Sequence, residues 1–216
     1  MELIIGNKCY SSWSLRAWLL LRHFCIPFEE RRIMLYTDSS RDELLELSPT
    51  GMVPVLKDRG VTVWDSLAIM DYLEDIRDDH SIWPVERVAR AHARSISAEM
   101  HSGFATLREK LPMNCKAEGR AVEWDDAVSA DIARIQQIWT NARKKHVEDG
   151  PWLFGAFSAA DAMFAPVVLR FASYRVQVSK PVADYMAHVM SDAHIREWIL
   201  DGQAETEVIE TSEVGG

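Results

Sequence analysis

The spacing of apolar residues changes once along this chain, near residue 78. Before that point, short apolar runs of strand length alternate with segments in which apolar residues recur every three or four positions, which is typical of an α/β unit. After it, only the helical spacing remains. We therefore expect an α/β domain at residues 1–78, a linker at 79–85, an all-helical domain at 86–202 and an acidic tail at 203–216.

The first part of the chain carries seven predicted elements. They follow in the order strand, helix, strand, helix, strand, strand, helix, at residues 2–6, 12–23, 28–34, 41–47, 53–56, 61–64 and 66–76. The first two strands should be parallel because a helix joins them, and the last two antiparallel because only the turn at residues 57–60 does.

In the second part of the chain, the spacing of apolar residues predicts helices throughout. One long helix is predicted from about residue 85 to Leu111, and another follows from Trp124 to Trp139, with Gly150-Pro151 as its stop. Three shorter helices are predicted at residues 158–170, 178–190 and 192–200. The acidic tail has little to bury, so we expect it to be poorly ordered.

Charge and cysteine usage exclude several classes of protein. The chain has 24 Lys and Arg against 33 Asp and Glu, which is unlike a protein that grips nucleic acid or an anionic membrane. Its three cysteines form no C-x-x-C pair and no zinc-type cluster, so we expect neither disulfides nor a metal. No signal peptide or membrane span is recognisable, and we expect a cytoplasmic protein.

Ser11 and Ser12 stand between the first predicted strand and the first predicted helix. Ligands of open α/β sheets bind at the carboxyl ends of strands, and a helix start adds free N–H groups. A hydroxyl placed there can hydrogen-bond a thiolate or another anion. The alternative is that one of these serines only caps the helix.

Val53-Pro54 opens the third predicted strand. Proline cannot donate to a sheet, and the X-Pro bond is the one in which the cis form is inexpensive. We predict a cis bond that leaves the Val53 backbone free to pair with an extended peptide. The alternative is a trans proline that merely starts an edge strand.

Asp65-Ser66 lies at the start of the third predicted helix. Ser66 and the free N–H groups suit a carboxylate, and Asp65 suits an ammonium group. Taken alone, the pair is simply a good helix cap.

Together these features resemble the cytosolic glutathione S-transferases. Within that family, the stretch from Ser11 to Arg16 is similar to the Ser-Ser-Cys-Ser-x-Arg motif of the zeta class, with Trp13 in place of the cysteine. Ser158-x-x-Asp161 resembles the family's capping box in the helical domain. The resemblance covers nearly the whole chain and implies a thioredoxin-like α/β domain followed by an all-α domain.

The resemblance implies that Ser11, five residues before Arg16, donates a hydrogen bond to the glutathione sulfur. Ser12, Tyr10 and Cys9 are rivals for that role. A stabilised thiolate is the nucleophile of such an enzyme, and its pKa falls from about 8.5 toward neutrality.

The other glutathione contacts also follow from the resemblance. Val53, at the Val53-Pro54 bond, would pair with the cysteinyl part, while Asp65 and Ser66 would hold the γ-glutamyl end. Further residues expected in this region are Ser12, Trp13 and Arg16. Ser158 and Asp161 are expected to be structural only.

The second substrate is expected between the domains, where the long helix has a polar interruption. The residues that the resemblance suggests there are Met100, His101, Ser102 and Phe104. The alternative is that Met100 and Phe104 are core residues and that His101 is either bonded to another protein group or solvated.

The resemblance implies an enzyme that uses glutathione as co-substrate and works as a homodimer. The bound thiolate would attack a small, mostly apolar electrophile or assist its isomerisation. Two other functions stay open: a partner-binding protein that retains the fold without catalysis, and a thiol reductase that depends on Cys9.

Overall fold

The computed structural model describes residues 1–77 and 82–215. Its first part contains β1 (Glu2–Ile5), α1 (Ser12–His23), β2 (Glu29–Arg32), α2 (Ser40–Leu47), β3 (Val55–Asp58), β4 (Val61–Trp64) and α3 (Ser66–Asp75). This order is the predicted one. The strands form one mixed sheet in the order β2-β1-β3-β4.

The pairing within the sheet confirms both sequence-based expectations. β1 pairs with β2 in parallel, and β3 pairs with β4 antiparallel. The sequence did not specify the third pairing, in which β1 lies antiparallel to β3. That pairing brings the start of β3 to the carboxyl end of β1, where the Ser11-Ser12 segment begins.

β1 is the most buried strand because its apolar run serves both faces of the sheet. Leu3 and Ile5 belong to the main hydrophobic core, whereas Ile4 packs in a smaller cluster with Leu44 of α2 and Val55 of β3. The sheet is thus covered on one face by the main core and on the other by α2.

The second part of the chain is helical, as expected. It contains α4 (Arg87–Ser102), α5 (Ala105–Lys110), α6 (Asp126–His146), α7 (Ala159–Ser173), α8 (Lys180–Ser191) and α9 (Ala193–Ala204). The structure therefore confirms an α/β unit followed by a helical region. None of the helices in the described part of the chain is long and apolar enough to cross a membrane.

The prediction of one continuous helix from about residue 85 to Leu111 is wrong. α4 ends at Ser102, and Phe104 adopts a left-handed backbone with φ of 56° before α5 begins. Gly103 lies where the chain closes on the last turn of α4, since a Cβ atom there would approach the Glu99 carbonyl oxygen to 2.8 Å. The polar interruption in the sequence is thus a break between two helices.

α7 is the central helix of the molecule, and every residue in it except Ala172 is buried. It packs against α1 of the first part and α4 of the second. Its start confirms the predicted capping box, because the Asp161 carboxylate accepts hydrogen bonds from the Ser158 backbone N–H at 3.0 Å and the Leu153 N–H at 2.9 Å. This carboxylate holds the start of α7 against the preceding loop.

The expectation of a poorly ordered acidic tail is also wrong. α9 extends to Ala204, and the residues after it return to the first part of the chain. There Glu205 accepts hydrogen bonds from the Lys8 and Cys9 backbone N–H groups at 2.7 and 3.0 Å. We call residues 205–215 the C-terminal strap. Three of its acidic side chains, those of Glu205, Glu207 and Glu213, accept hydrogen bonds from other segments, which the composition alone did not indicate.

The predicted linker begins among residues that lie outside the described part of the chain. Its later residues Ile82 and Trp83 are buried. The proposed boundary between two domains at residues 78–86 stays a prediction.

Candidate active site

A cavity of about 740 Å³ lies between the carboxyl end of β1, the segment before β3 and the helical region. Four of the predicted site residues line it: Ser11, Ser12, Trp13 and Val53. The opposite wall comes from Arg108 of α5, Arg170 of α7 and the C-terminal strap. The cavity therefore joins the predicted glutathione segment to residues from the second part of the chain.

Ser11 is the N-cap of α1, as the capping alternative proposed. Its hydroxyl donates a 2.7 Å hydrogen bond to Ser14 Oγ, and that oxygen also accepts from the Gly6 backbone N–H at 3.0 Å. The hydroxyl proton of Ser11 is thus used inside the protein. Ser11 is only 7% exposed, although it lines the cavity.

Ser12 is the first residue of α1 and its hydroxyl has a different environment. Its Oγ accepts a 3.1 Å hydrogen bond from Nη2 of Arg170. Among the described residues, no acceptor takes the Ser12 hydroxyl proton. Ser12 therefore has an occupied lone pair and a proton available to a ligand in the cavity.

Arg170 is a buried cation, since its residue is only 5% exposed. Its Nη1 donates to the carbonyl oxygens of Arg108 and Leu111, and no carboxylate in the described ranges forms an ion pair with it. Burial lowers the pKa of Arg170 to about 10, which still leaves it charged at neutral pH. A positive charge is thus held at the wall of the cavity.

Arg108 adds a second guanidinium to the same wall. Its Nη1 donates to the Gly103 carbonyl oxygen at 2.5 Å and the Met100 carbonyl oxygen at 3.3 Å, which fixes the end of α4. Burial lowers the pKa of Arg108, and the Asp131 carboxylate opposes this shift. Its guanidinium carbon lies 5.4 Å from the centre of a Trp13 ring.

Arg16 lies behind Trp13 and does not line the cavity. Its guanidinium carbon is 4.1 Å from the centre of a Trp13 ring, and its Nε donates to the Met163 carbonyl oxygen at 2.9 Å. Burial, together with the charges of Arg170 and Arg108, lowers the pKa of Arg16 well below its usual value. Arg16 thus joins α1 to α7 and supports Trp13 from behind.

The Val53-Pro54 peptide bond is cis, which confirms the prediction. Val53 lines the cavity, and β3 begins only at Val55. Within the described residues, the Val53 backbone N–H and carbonyl have no hydrogen-bond partner. Pro54 is buried behind it. An extended ligand can therefore pair with the Val53 backbone as a short added strand.

Asp65 and Ser66 lie at the start of α3, outside the lining of this cavity. Asp65 Oδ1 accepts from the Leu67 N–H at 2.8 Å, and its Oδ2 lies 2.6 Å from Nε2 of His101. The Ser66 hydroxyl is buried and has no hydrogen-bond partner in the described part of the chain. Asp65 is therefore a helix cap in this structure, as the alternative proposed, and the expected γ-glutamyl contacts stay predictions.

The predicted substrate residues also lie off the cavity wall. Met100 is fully buried in the main core, and the Ser102 hydroxyl donates to the Ala98 carbonyl oxygen of its own helix. Phe104 forms the bend before α5, while His101 contacts Trp13 edge-on with ring centres 5.3 Å apart. Met100, His101 and Ser102 are consecutive residues of α4, so their side chains point in different directions around the helix. Their role toward a substrate stays a prediction.

The two rivals before Ser11 have occupied side chains. Cys9 is fully buried beside Cys115, and the hydrogen bond between the two thiols lowers the pKa of Cys9 to about 7. Cys9 does not line the cavity. Tyr10 does, but its hydroxyl donates to Glu213 at 2.7 Å, and burial raises its pKa. Neither side chain offers a free hydrogen-bonding group to a ligand in the cavity.

Sequence reasoning missed the basic wall of this cavity. Arg170 is 158 positions from Ser12, and it lies within a helix whose other side chains are almost all apolar. A single arginine in such a helix is the one signal that the sequence offers, because a buried charge needs a reason to be there. Arg108 gives no comparable signal.

Comparison with known proteins agrees with the resemblance seen in the sequence. Residues 10–76 match the family model described as "Glutathione S-transferase, N-terminal domain". The rat protein named maleylacetoacetate isomerase is 28% identical over 172 residues, which cover 78% of this chain and 76% of that protein.

Solved structures share the fold. A glutathione transferase homolog from Burkholderia, with bound glutathione, superposes with a TM-score of 0.72 at 21% identity and covers 94% of this chain and 98% of that chain. A bacterial zeta-class maleyl pyruvate isomerase gives 0.72 at 18% identity, with 97% of this chain and 100% of that one covered. At such identities these two similarities establish the architecture.

Proposed function

We propose that this chain, whose residues 10–76 match the glutathione S-transferase N-terminal domain, binds glutathione in the 740 Å³ cavity and uses its thiol on a small electrophile. Glutathione is a co-substrate here, and it supplies a thiolate that adds to an electrophilic carbon. The observation that carries the proposal is the meeting of the free Val53 backbone with the Ser11-Ser12 segment in one cavity.

The residues present fit a glutathione thiol in three respects. The start of α1 carries a partial positive charge, Ser12 has a free hydroxyl proton, and Arg170 places a full charge behind that hydroxyl. Each of these favours the charged form of a thiol, so each lowers its pKa. The Val53 backbone would fix the cysteinyl part, which positions the sulfur near the hydroxyl.

We propose that the electrophile carries an anionic group. We had expected a mostly apolar molecule from the sequence, but Arg108 and Arg170 line the cavity and no carboxylate in the described ranges pairs with either side chain. Arg108 uses only Nη1 for its hydrogen bonds within the described residues, which leaves Nη2 for a ligand. A carboxylate is the natural partner of such a guanidinium.

Both transfer and isomerisation fit this site. In an isomerisation the thiolate adds to a carbon–carbon double bond conjugated to a carbonyl, rotation follows about the resulting single bond, and elimination of the thiolate restores the double bond. The rat relative's name supports this route for an acidic unsaturated substrate. Arg108 would hold the acid group during the rotation.

The first experiment is calorimetric titration of glutathione into the wild type and into Ser11→Ala, Ser12→Ala and the control Ser95→Ala, a serine on exposed α4 surface. Thiolate absorbance of the bound glutathione is followed against pH in parallel. We expect binding to all four proteins and a lowered thiol pKa in the wild type and Ser95→Ala, and the serine variant that loses the lowered pKa identifies the hydroxyl that donates to the sulfur. If glutathione does not bind to the wild type, the proposal is wrong, and the result favours a partner-binding protein that retains the fold without catalysis.

The anionic preference has its own test. Rates are compared for two electrophiles that differ by one carboxylate, a chloronitrobenzene and a chloronitrobenzoate, in the wild type, Arg108→Met and the control Arg196→Met on exposed α9 surface. We expect the carboxylated compound to gain about 10-fold in kcat/KM in the wild type and in Arg196→Met only, which corresponds to about 1.4 kcal/mol. Equal preferences in all three proteins would exclude Arg108 as the anion site.

We further propose that the protein works as a homodimer, as members of the family commonly do. β4 is an edge strand of the sheet, and its side chains Val61 and Trp64 are 45% and 42% exposed. Light scattering at several concentrations would test the assembly. The cytoplasmic location stays a prediction.

A further inference from the structure

Two serines follow each other at the start of α1, and their hydrogen bonds divide them into different roles. Ser11 donates its proton to Ser14 Oγ, which is held in turn by the Gly6 N–H. Ser12 only accepts, from the Arg170 guanidinium at 3.1 Å. A ligand sulfur in the cavity therefore finds a free hydroxyl proton on Ser12 but must break an existing hydrogen bond to use the one on Ser11.

Arg170 is anchored independently of any ligand. Its Nη1 donates to the Arg108 and Leu111 carbonyl oxygens, so the guanidinium is fixed where the chain leaves α5. Its Nη2 donates to Ser12 Oγ. A fixed donor selects the rotamer of the hydroxyl that accepts from it, and it directs the hydroxyl proton away from itself.

The surroundings of Arg170 make its buried positive charge energetically unfavourable, so the charge calls for a role in the site. Burial disfavours the charged form of Arg170 most, and the nearby positive charge of Arg108 disfavours it further. Arg16 on α1 feels the same repulsion. Packed, apolar side chains of similar volume are commonly as stable as such buried charges. An anion in the cavity would relieve this repulsion among three arginines.

From this geometry we propose that Ser12, rather than Ser11, donates the hydrogen bond to the glutathione sulfur, and that Arg170 is a positioning residue acting through Ser12. The inference depends on the proposed use of glutathione in this cavity. Arg170 holds the Ser12 oxygen and polarises its O–H bond, so that the proton meets the thiolate. Ser11 keeps the start of α1 in place through its bond to Ser14.

The test measures the pKa of the glutathione thiol bound to the wild type, Ser11→Ala, Ser12→Ala, Arg170→Met and the double variant Ser12→Ala/Arg170→Met. We expect Ser12→Ala and Arg170→Met each to raise this pKa by about one unit, because a hydrogen bond to a charged group has roughly that strength. The thiol pKa in the double variant should be no higher than in the single variants, since both changes remove the same hydrogen bond. Turnover is followed with a neutral chloronitrobenzene, so that direct binding of an anionic substrate by Arg170 does not contribute.

Binding of S-methylglutathione, which has no thiol, distinguishes a purely structural role of Arg170 from an action on the sulfur. Its Kd should stay within about twofold in every variant if Arg170 acts on the sulfur through Ser12. Arg170→Lys keeps the positive charge and a hydrogen-bond donor. The thiol pKa of bound glutathione should therefore be lower in Arg170→Lys than in Arg170→Met. Arg196→Met serves as the control for a lost positive charge.

Three results would overturn the inference. An unchanged thiol pKa in Ser12→Ala would return the sulfur contact to Ser11, and this outcome is readable even if Arg170→Met fails to fold. A further rise in the double variant would mean that Arg170 acts directly on the thiolate. Loss of S-methylglutathione binding in Arg170→Met would make the residue structural. Failure of glutathione to bind to the wild type is a different result, and it refutes the proposed function itself.

Discussion

The hydroxyl of Tyr10 donates a 2.7 Å hydrogen bond to Oε1 of Glu213, a residue 203 positions further along the chain. Glu213 also accepts from Asn114 Nδ2 at 2.8 Å and forms an ion pair with Arg120. One carboxylate thus ties the C-terminal strap both to the segment before α1 and to the helical region. Ile209 and Ser212 of the same strap line the cavity, so the strap completes the cavity wall.

We predict that Glu213→Ala releases the strap. The change removes the acceptor of the Tyr10 hydroxyl and one of the acceptors of the Asn114 amide and of the Arg120 guanidinium. The Glu213 side chain is 27% exposed, so water replaces part of the loss. We expect the free energy of unfolding to fall by about 1–2 kcal/mol and proteases to cut the strap faster. Denaturant unfolding and limited proteolysis measure the two effects.

Glu210→Ala is the matched control because Glu210 is exposed on the same strap. It should leave both measurements unchanged. If Glu213→Ala is cut no faster than Glu210→Ala, the strap is held by its other contacts instead, such as Glu205 with the Lys8 and Cys9 N–H groups and the buried Ile209.

Cys9→Ser should leave the glutathione-dependent reaction within about twofold of the wild type. Cys9 is fully buried, its thiol bonds to Asn114 Oδ1 at 3.4 Å, and it lies outside the cavity lining. A thiol reductase that used Cys9 would instead lose its activity in this variant.

The comparison uses two assays on each protein, transfer of glutathione to an electrophile and reduction of a small disulfide. Cys25→Ser is the control, since Cys25 is the exposed cysteine. A Cys9→Ser protein that loses both activities while it keeps its thermal stability would contradict our assignment.

The sequence was a good guide to the elements of the first part of the chain for a physical reason. The short apolar runs and the helical spacing around Trp18 are local signals, and they match strands and a helix in the structure. The turn predicted at residues 57–60 is found at residues 59–60, because β3 continues to Asp58. Sequence reasoning failed at the C-terminal strap and at the break before Phe104. Both depend on distant partners, such as the Lys8 and Cys9 N–H groups that hold Glu205, and local spacing does not report them.

The candidate site divides in the same way. Motifs next to predicted strands placed Ser11, Ser12 and Val53 on the cavity, because the carboxyl end of a strand is a topological position that sequence order reveals. The partners that give those residues different roles are Ser14 for Ser11 and Arg170 for Ser12. Choosing between two adjacent hydroxyls needs coordinates, since both fit one motif equally well.

Asp161 gives the protein a predictable dependence on pH. Burial raises its pKa from 3.8 to about 6 in the folded protein. A carboxyl group whose folded pKa is raised stabilises the protein below its unfolded pKa, and that contribution is lost as the pH rises through the folded pKa. We therefore expect the unfolding free energy of the wild type, relative to Asp161→Asn, to fall by about 2 kcal/mol between pH 4 and pH 7.

Denaturant unfolding of both proteins across this range measures the difference. Other titrating groups are common to the two proteins, so they cancel in the comparison. A difference that stays constant, or grows with pH, would show that the hydrogen bonds from Leu153 and Ser158 outweigh the burial of the charge.

Asp65 has a structural role that can be separated from the predicted contact with the glutathione ammonium group. It caps α3 from a backbone with φ of 77° and ψ of 134°, a positive φ that is strained for any residue with a Cβ atom. Asp65→Ala should lower the free energy of unfolding by about 1 kcal/mol through the lost cap, because the backbone strain is common to both residues. Asp65→Asn keeps the capping oxygen and should fold with nearly wild-type stability.

Asp65→Asn is therefore the variant that tests binding. If the carboxylate holds the ammonium group, its loss should raise the Kd for glutathione about 10-fold, since a hydrogen bond between charged groups is worth roughly 1.5 kcal/mol. Calorimetry on the wild type, Asp65→Asn and the control Asp71→Asn measures this change in Kd. Asp71 is a suitable control because it lies on α3, the helix that Asp65 caps, and its carboxylate accepts a hydrogen bond from Trp83 Nε1. Equal Kd values in all three proteins would leave Asp65 as a helix cap bonded to His101. In this structure Asp65 Oδ2 lies 2.6 Å from His101 Nε2. A higher Kd in Asp65→Asn alone would therefore mean that glutathione displaces His101 from the Asp65 carboxylate when it binds.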